Sequence, residues 1–123
     1  IRLIKSGKKK LVLNDFYNNV FDFVTDKQEI IKKLLDLNID EEYLINGLKS
    51  LLEIDLRDKI KNIDKKTLII QGEKDTITPV YGAEYIKNNI ISSKLIKKPL
   101  GHSILFENTE ETVKEYEDFI NER

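Results

Sequence analysis

The sequence has no cysteine, no methionine and no tryptophan, and its only histidine is His102. Without cysteine there is no disulfide framework, no thiolate metal site and no cysteine nucleophile. A single histidine argues against zinc, whose nitrogen ligands are imidazoles. Carboxylates alone could still hold Mg²⁺ or Ca²⁺, but no motif points to a metal or an organic cofactor and none is expected. No apolar run approaches the ~20 residues of a membrane-spanning helix, so no membrane partner is expected either. An excess of one charge is also lacking. Lys and Arg number 21 against 22 Asp and Glu, for a formal net charge of −1, which leaves no electrostatic footprint for nucleic acid. A chain that opens on Ile1 and contains no methionine reads as a processed or trimmed product, so the lack of a leader carries little weight.

What the 123 residues do contain is 40% hydrophobic and 35% charged, enough for one domain. Arg2, Lys5, Lys8, Lys9 and Lys10 open the chain without an acid among them. Leu13, Phe16, Tyr17, Val20 and Phe21 then recur at steps of three and four, the spacing of one helix face. Thr25-Asp26 followed by Gln28-Glu29 predicts a capped start to a second helix, with Ile30, Ile31, Leu34 and Leu35 inward. Asp40 predicts the opening of a third, with Leu44, Ile45, Leu48, Leu51 and Leu52 inward, and Leu56–Ile60 adds a short helical turn. Residues 1–63 thus read as all helical.

From residue 64 the pattern changes. Thr67-Leu68-Ile69-Ile70-Gln71, stopped by Gly72, predicts a buried strand. Thr78-Pro79 predicts a helix start with threonine capping and proline in the first helical position, running to about Ile90. Lys94–Lys97 predicts a second strand, and Asn108 with Glu111 a capping box for a last helix that turns Val113, Tyr116, Phe119 and Ile120 inward. Strand–helix–strand–helix implies two parallel strands. Parallel strands belong in larger sheets, so two of them leave edges that ask for partners: a second copy pairing along the strand edges, or another part of the same protein.

Asp75 lies three residues after Gly72, in the loop that leaves the carboxyl end of the first strand, and His102 follows the second strand behind Gly101. Taken alone, Gly72–Asp75 is an ordinary polar turn, and a lone histidine is an ordinary bystander. Together they leave neighbouring parallel strands at the same end, where open α/β sheets place their ligand-binding and reacting groups.

Leu68-Ile69-Ile70-Gln71-Gly72-Glu73-Lys74-Asp75-Thr76-Ile77-Thr78-Pro79 resembles the α/β-hydrolase segment that presents the triad acid. Gly101-His102-Ser103-Ile104-Leu105-Phe106-Glu107 resembles the segment that presents the triad histidine, 27 residues after the acid. Gly47–Arg57 is similar to the lid-to-core junction, and Asn14-Asp15-Phe16-Tyr17 to the lid, of pimeloyl-acyl-carrier-protein methyl ester esterases of biotin synthesis, and the likeness extends over roughly residues 8–121. Departures are Lys66 and Gln71, where the family often has proline and histidine, and Glu107-Asn108-Thr109, where a proline is displaced.

The resemblance implies an α/β fold that is the C-terminal fragment of an α/β-hydrolase: a helical lid over 1–63, then strand–helix–strand–helix over 64–123. Triad order in that fold is serine, acid, histidine, so Asp75 and His102 would be acid and base. No G-x-S-x-G occurs, and Ser6, Ser50, Ser92, Ser93 and Ser103 sit on no strand-to-helix elbow. The nucleophile would lie in a missing N-terminal part, leaving this chain inactive alone. A small-molecule or acyl-carrier-linked ester is the implied substrate and the cytoplasm the implied location. The basic residues at the start would attract an acidic carrier, unless they are simply a solvated face. The alternatives are a non-catalytic helical interaction module and a lactonase or C–C hydrolase on the same fold.

Overall fold

Gly7 adopts φ +79, a backbone region that costs glycine nothing, and with Ser6 it bends Ile4–Lys8 into a wide π-type turn that buries Ile4 completely. The computed structural model, which describes residues 1–122, continues from that turn into α1 (Lys9–Val20), α2 (Lys27–Leu35), α3 (Glu41–Glu53) and α4 (Arg57–Ile60). Both α1 and α3 pack on the turn, and α2 packs on α1. Leu13, Phe21, Ile31 and Ile45 join Ile4 as the buried apolar centre of these helices.

Of two helix starts expected to be capped, one is and one is not. Asp40 caps α3 as expected, its Oδ1 accepting from the Tyr43 N–H at 2.8 Å. The expected cap of α2 does not form. Asp26 takes φ 56, ψ 25 and its side chain accepts no cap hydrogen bond. The chain reverses between α1 and α2 within a few residues, and a short polar side chain tolerates the left-handed conformation that this requires. The inward stripe of α3 also ends early. Leu44, Ile45 and Leu48 are covered, whereas Leu51 and Leu52 stand 82% and 80% exposed.

The second half holds β1 (Thr67–Gly72), α5 (Val80–Asn89), β2 (Ser93–Lys98), α6 (Ile104–Glu107) and α7 (Thr109–Asn121). The strands are parallel, paired from Thr67↔Ser93 to Gly72↔Lys98, with α5 packed on both. Among the described residues the sheet has only these two strands. For that reason β1, expected to be buried, is only half-covered until Gln71 and Gly72. Its successive side chains point to opposite faces and line two open grooves. One, of 440 Å³, runs from Ile70 to Val113 and Tyr116 of α7; the other, of 490 Å³, runs from Ile69 to Ala83 and Ile86 of α5.

The stripe expected to turn inward on α7 faces outward in part: Val113, Tyr116 and Ile120 are exposed. Charge holds that helix instead. Lys98, its side chain only 5% exposed, reaches Glu111 at 2.8 Å and Glu115 at 3.5 Å, and the Glu111 hydrogen bond raises its ammonium above the usual lysine range. Asn108 and Glu111 form the expected helix start, with the Glu111 N–H donating to Asn108 Oδ1 at 3.2 Å. No helix of the described residues is long and apolar enough to cross a membrane.

Candidate active site

The loop after β1 wraps around one carboxylate. Asp75 Oδ1 accepts the Ile77 and Thr78 N–H groups at 2.8 and 2.9 Å, which folds 75–78 into a tight Asx-type turn. Asp75 Oδ2 accepts the Thr78 hydroxyl at 2.6 Å and faces His102 Nδ1 at 2.9 Å. The side chain is 4% exposed. Burial by itself would raise the Asp75 pKa, but the hydrogen bonds from Thr78, His102 and Ile77 outweigh it and hold the carboxyl down at about 2. At neutral pH it is a buried, fully hydrogen-bonded anion.

Because an ionised carboxylate only accepts, the His102 nitrogen facing it must carry the proton. In the neutral ring this fixes the Nδ1–H tautomer, which leaves the lone pair on Nε2. Nε2 has no hydrogen-bond partner among the described residues, and the ring is 31% exposed. A cleft of 400 Å³ opens there between His102, Ser103 and Phe106 on one side and Val20 and Phe21 on the other. A base with an available lone pair, oriented by an acid, beside an apolar cleft, is suited to taking a proton from a hydroxyl and returning it.

Two glycines set this distance. A Cβ on Gly72 would lie 2.0 Å from the Gly101 carbonyl oxygen and 2.5 Å from that of Leu100. A Cβ on Gly101 would lie 2.5 Å from the Phe23 ring. The two turns are stitched by backbone bonds, from the Glu73 N–H to the Lys98 carbonyl at 2.8 Å and from the Lys74 N–H to the Leu100 carbonyl at 2.9 Å. Glu107 Oε2 accepts the Gly101 N–H at 2.7 Å and fixes the base-bearing turn from below.

The structure therefore brings together both residues singled out in the sequence, and adds Thr78 and Glu107 to them. Thr78 was expected to cap α5 with Pro79 in the first helical position. Instead Pro79 is the extended residue before α5, which begins at Val80, and the Thr78 hydroxyl is spent on Asp75 while lying 3.3 Å from His102 Nδ1. The signal for that role was present: a hydroxyl three residues after an aspartate, at the end of a strand.

None of the serines with an assigned bond is available as a nucleophile. Ser103 donates to the Val20 carbonyl at 2.8 Å, Ser93 to that of Ile90 at 2.6 Å, Ser50 to that of Asn46 and Ser6 to that of Leu3. Among the described residues no group of three or more His, Asp or Glu is placed to hold a metal ion.

No protein-family model matches the chain, and no curated protein does. Solved structures match it closely in shape. An esterase from Exiguobacterium antarcticum superposes with a TM-score of 0.83 at 23% identity, over 97% of this chain and 46% of its own. A hydrolase from Pseudomonas aeruginosa PA01 gives 0.77 at 21%, over 89% and 43%. A serine hydrolase involved in carbazole degradation gives 0.71 at 22%, over 83% and 43%. The chain spans slightly under half the length of each of these structures.

Proposed function

From an α/β-hydrolase fold that carries a buried Asp–His pair, we propose that this chain supplies the acid and base of a serine hydrolase acting on carboxylic esters. The observation that carries the reading is the 2.9 Å bond from His102 Nδ1 to the buried Asp75 carboxylate, in a histidine that also lines the cleft beside Phe21 and Phe106. In this reading His102 takes the proton of a serine from outside the described residues and returns it to the leaving alcohol. Asp75 holds the tautomer and stabilises the imidazolium. Phe21 and Phe106, in edge-to-face contact at 5.3 Å, wall the cleft for the acyl or alcohol group. The 1–63 helices act as its lid.

Within that class, an acyl-carrier-linked methyl ester is the substrate suggested by the likeness of Gly47–Arg57 to carrier-ester esterases. The opening lysines would then meet an acidic carrier. Since the pocket and nucleophile decide the bond cleaved, the same pair would serve a lactone or a C–C bond equally well.

The test is hydrolysis of p-nitrophenyl butyrate by two proteins: this chain alone, and this chain together with whatever its coding sequence places before Ile1. The chain alone gives no turnover above buffer. The longer protein turns over, and His102→Ala lowers its kcat by about 10⁴-fold or more. Turnover by the chain alone that vanished in His102→Ala would show that the nucleophile lies within these residues. A longer protein indifferent to His102→Ala would overturn the assignment of the base.

A further inference from the structure

The helical part holds a pocket with no wall in common with the cleft beside His102. Ile4 from the wide turn, Leu13 and Phe16 from α1, Ile39 from the α2–α3 connection, and Leu44 and Leu48 from α3 line a partly open space of 190 Å³. Apart from the Tyr17 hydroxyl, every lining side chain is apolar. Space of this kind stays dry, and an engineered cavity of ~150 Å³ lined by Leu, Ile and Phe takes up benzene. The pocket here is somewhat larger and has room for a chain of about six carbons.

Its rim is not apolar. Lys9, which does not itself line the pocket, donates from Nζ to the backbone carbonyl of the wall residue Ile39 at 2.7 Å, so an ammonium stands one residue's width from the space. That lysine is partly buried and makes no ion pair among the described residues. Asp40, the nearest acid in sequence to this wall, has Oδ1 engaged by the Tyr43 N–H instead. An ammonium has three donors, so two remain for a ligand. A half-buried cation beside an apolar cavity, with its own acid turned elsewhere, is short of a counter-ion.

We propose that this pocket binds an unbranched aliphatic carboxylate of about six carbons, with the hydrocarbon between Ile4, Leu13 and Leu48 and the carboxylate on Lys9. The site is independent of the Asp75–His102 pair and stands whether or not that pair works in ester hydrolysis.

Methyl NMR of the full chain, titrated with butanoate, hexanoate and hexan-1-ol, tests it. Hexanoate shifts the methyls of Ile4, Leu13 and Leu48 and saturates. It binds about fifteenfold tighter than butanoate, at about fourfold per buried methylene. Lys9→Gln weakens hexanoate by about tenfold, the loss of a charge-assisted bond, and leaves hexan-1-ol unchanged. Leu48→Phe fills the space and removes both. Should Leu48→Phe fail to fold, the Lys9→Gln comparison decides alone. The proposal is overturned if hexanoate causes no saturable shift at these methyls, if the shifts centre on other residues, or if Lys9→Gln binds hexanoate as the unaltered chain does. His102→Ala leaves hexanoate binding unchanged, so failure here and failure of the hydrolase reading are told apart.

Discussion

A single carboxylate concentrates most of the physical chemistry of the site. Asp75 has an ordinary pKa of 3.8 and is held at about 2 in the fold, so its ionised form is favoured by folding. The sign follows from proton binding: the unfolded chain binds the proton more tightly, so stability rises with pH across this range. The contribution, about 2 kcal/mol, is complete above pH ~4 and lost as pH falls toward ~2. Urea midpoints measured from pH 5 to pH 2 should fall more steeply for the unaltered chain than for Asp75→Asn. Thr78 acts on the same carboxylate. Thr78→Val removes one bond to that carboxylate and should cost about 1 kcal/mol while leaving the Nδ1–H tautomer of His102, which the carboxylate itself fixes, unchanged; Thr78→Ser keeps the bond. Because His102 is the only histidine, imidazole ¹⁵N shifts report on it without assignment.

The elements divide into those dictated locally and those dictated by what covers them. Asp40 and Asn108 cap their helices as sequence alone predicts, because a cap needs only its own next turn. The β-branched run at 67–71 forms its strand, and Asp75 and His102 meet because parallel neighbours end at one edge. Leu51, Leu52, Val113 and Tyr116 were illegible for the opposite reason: periodicity reveals a stripe but not whether anything lies against it. Thr78 does not cap α5 because the helix begins one residue later than its spacing predicts, with extended Pro79 before Val80, and the Thr78 hydroxyl donates to Asp75 instead. Helix glycines offer a contrast with the strand-end glycines. A Cβ on Gly47 in α3 or Gly82 in α5 meets nothing within 4 Å. Gly47→Ala and Gly82→Ala should therefore each stabilise by up to about 1 kcal/mol. Gly72→Ala drives a methyl group into backbone and should cost about 3 kcal/mol. Thermal melts of the three variants, read by circular dichroism, check the order.

As a whole, the molecule exposes 9162 Å², whereas a compact monomer of 14.4 kDa exposes ~6,800 Å². Part of the exposed surface is apolar and lines the two grooves on either face of β1, from Ile70 to Tyr116 and from Ile69 to Ile86. Patches of that kind behave as interfaces. The folded chain should light up an apolar dye such as ANS and associate as its concentration rises, measured by light scattering. A Val113→Lys, Tyr116→Lys double variant should reduce both while its helical signal persists. Unchanged dye binding would place the exposed surface elsewhere. The crossing of Gly72 under Gly101 bears on how such a protein can be rebuilt. Since carbonyl oxygens occupy the space where a side chain would start, the acid-bearing and base-bearing turns fit only each other. In grafting or chimera design they travel as one cassette, and a donor's acid turn joined to a stranger's base turn should misalign the pair however well each loop folds.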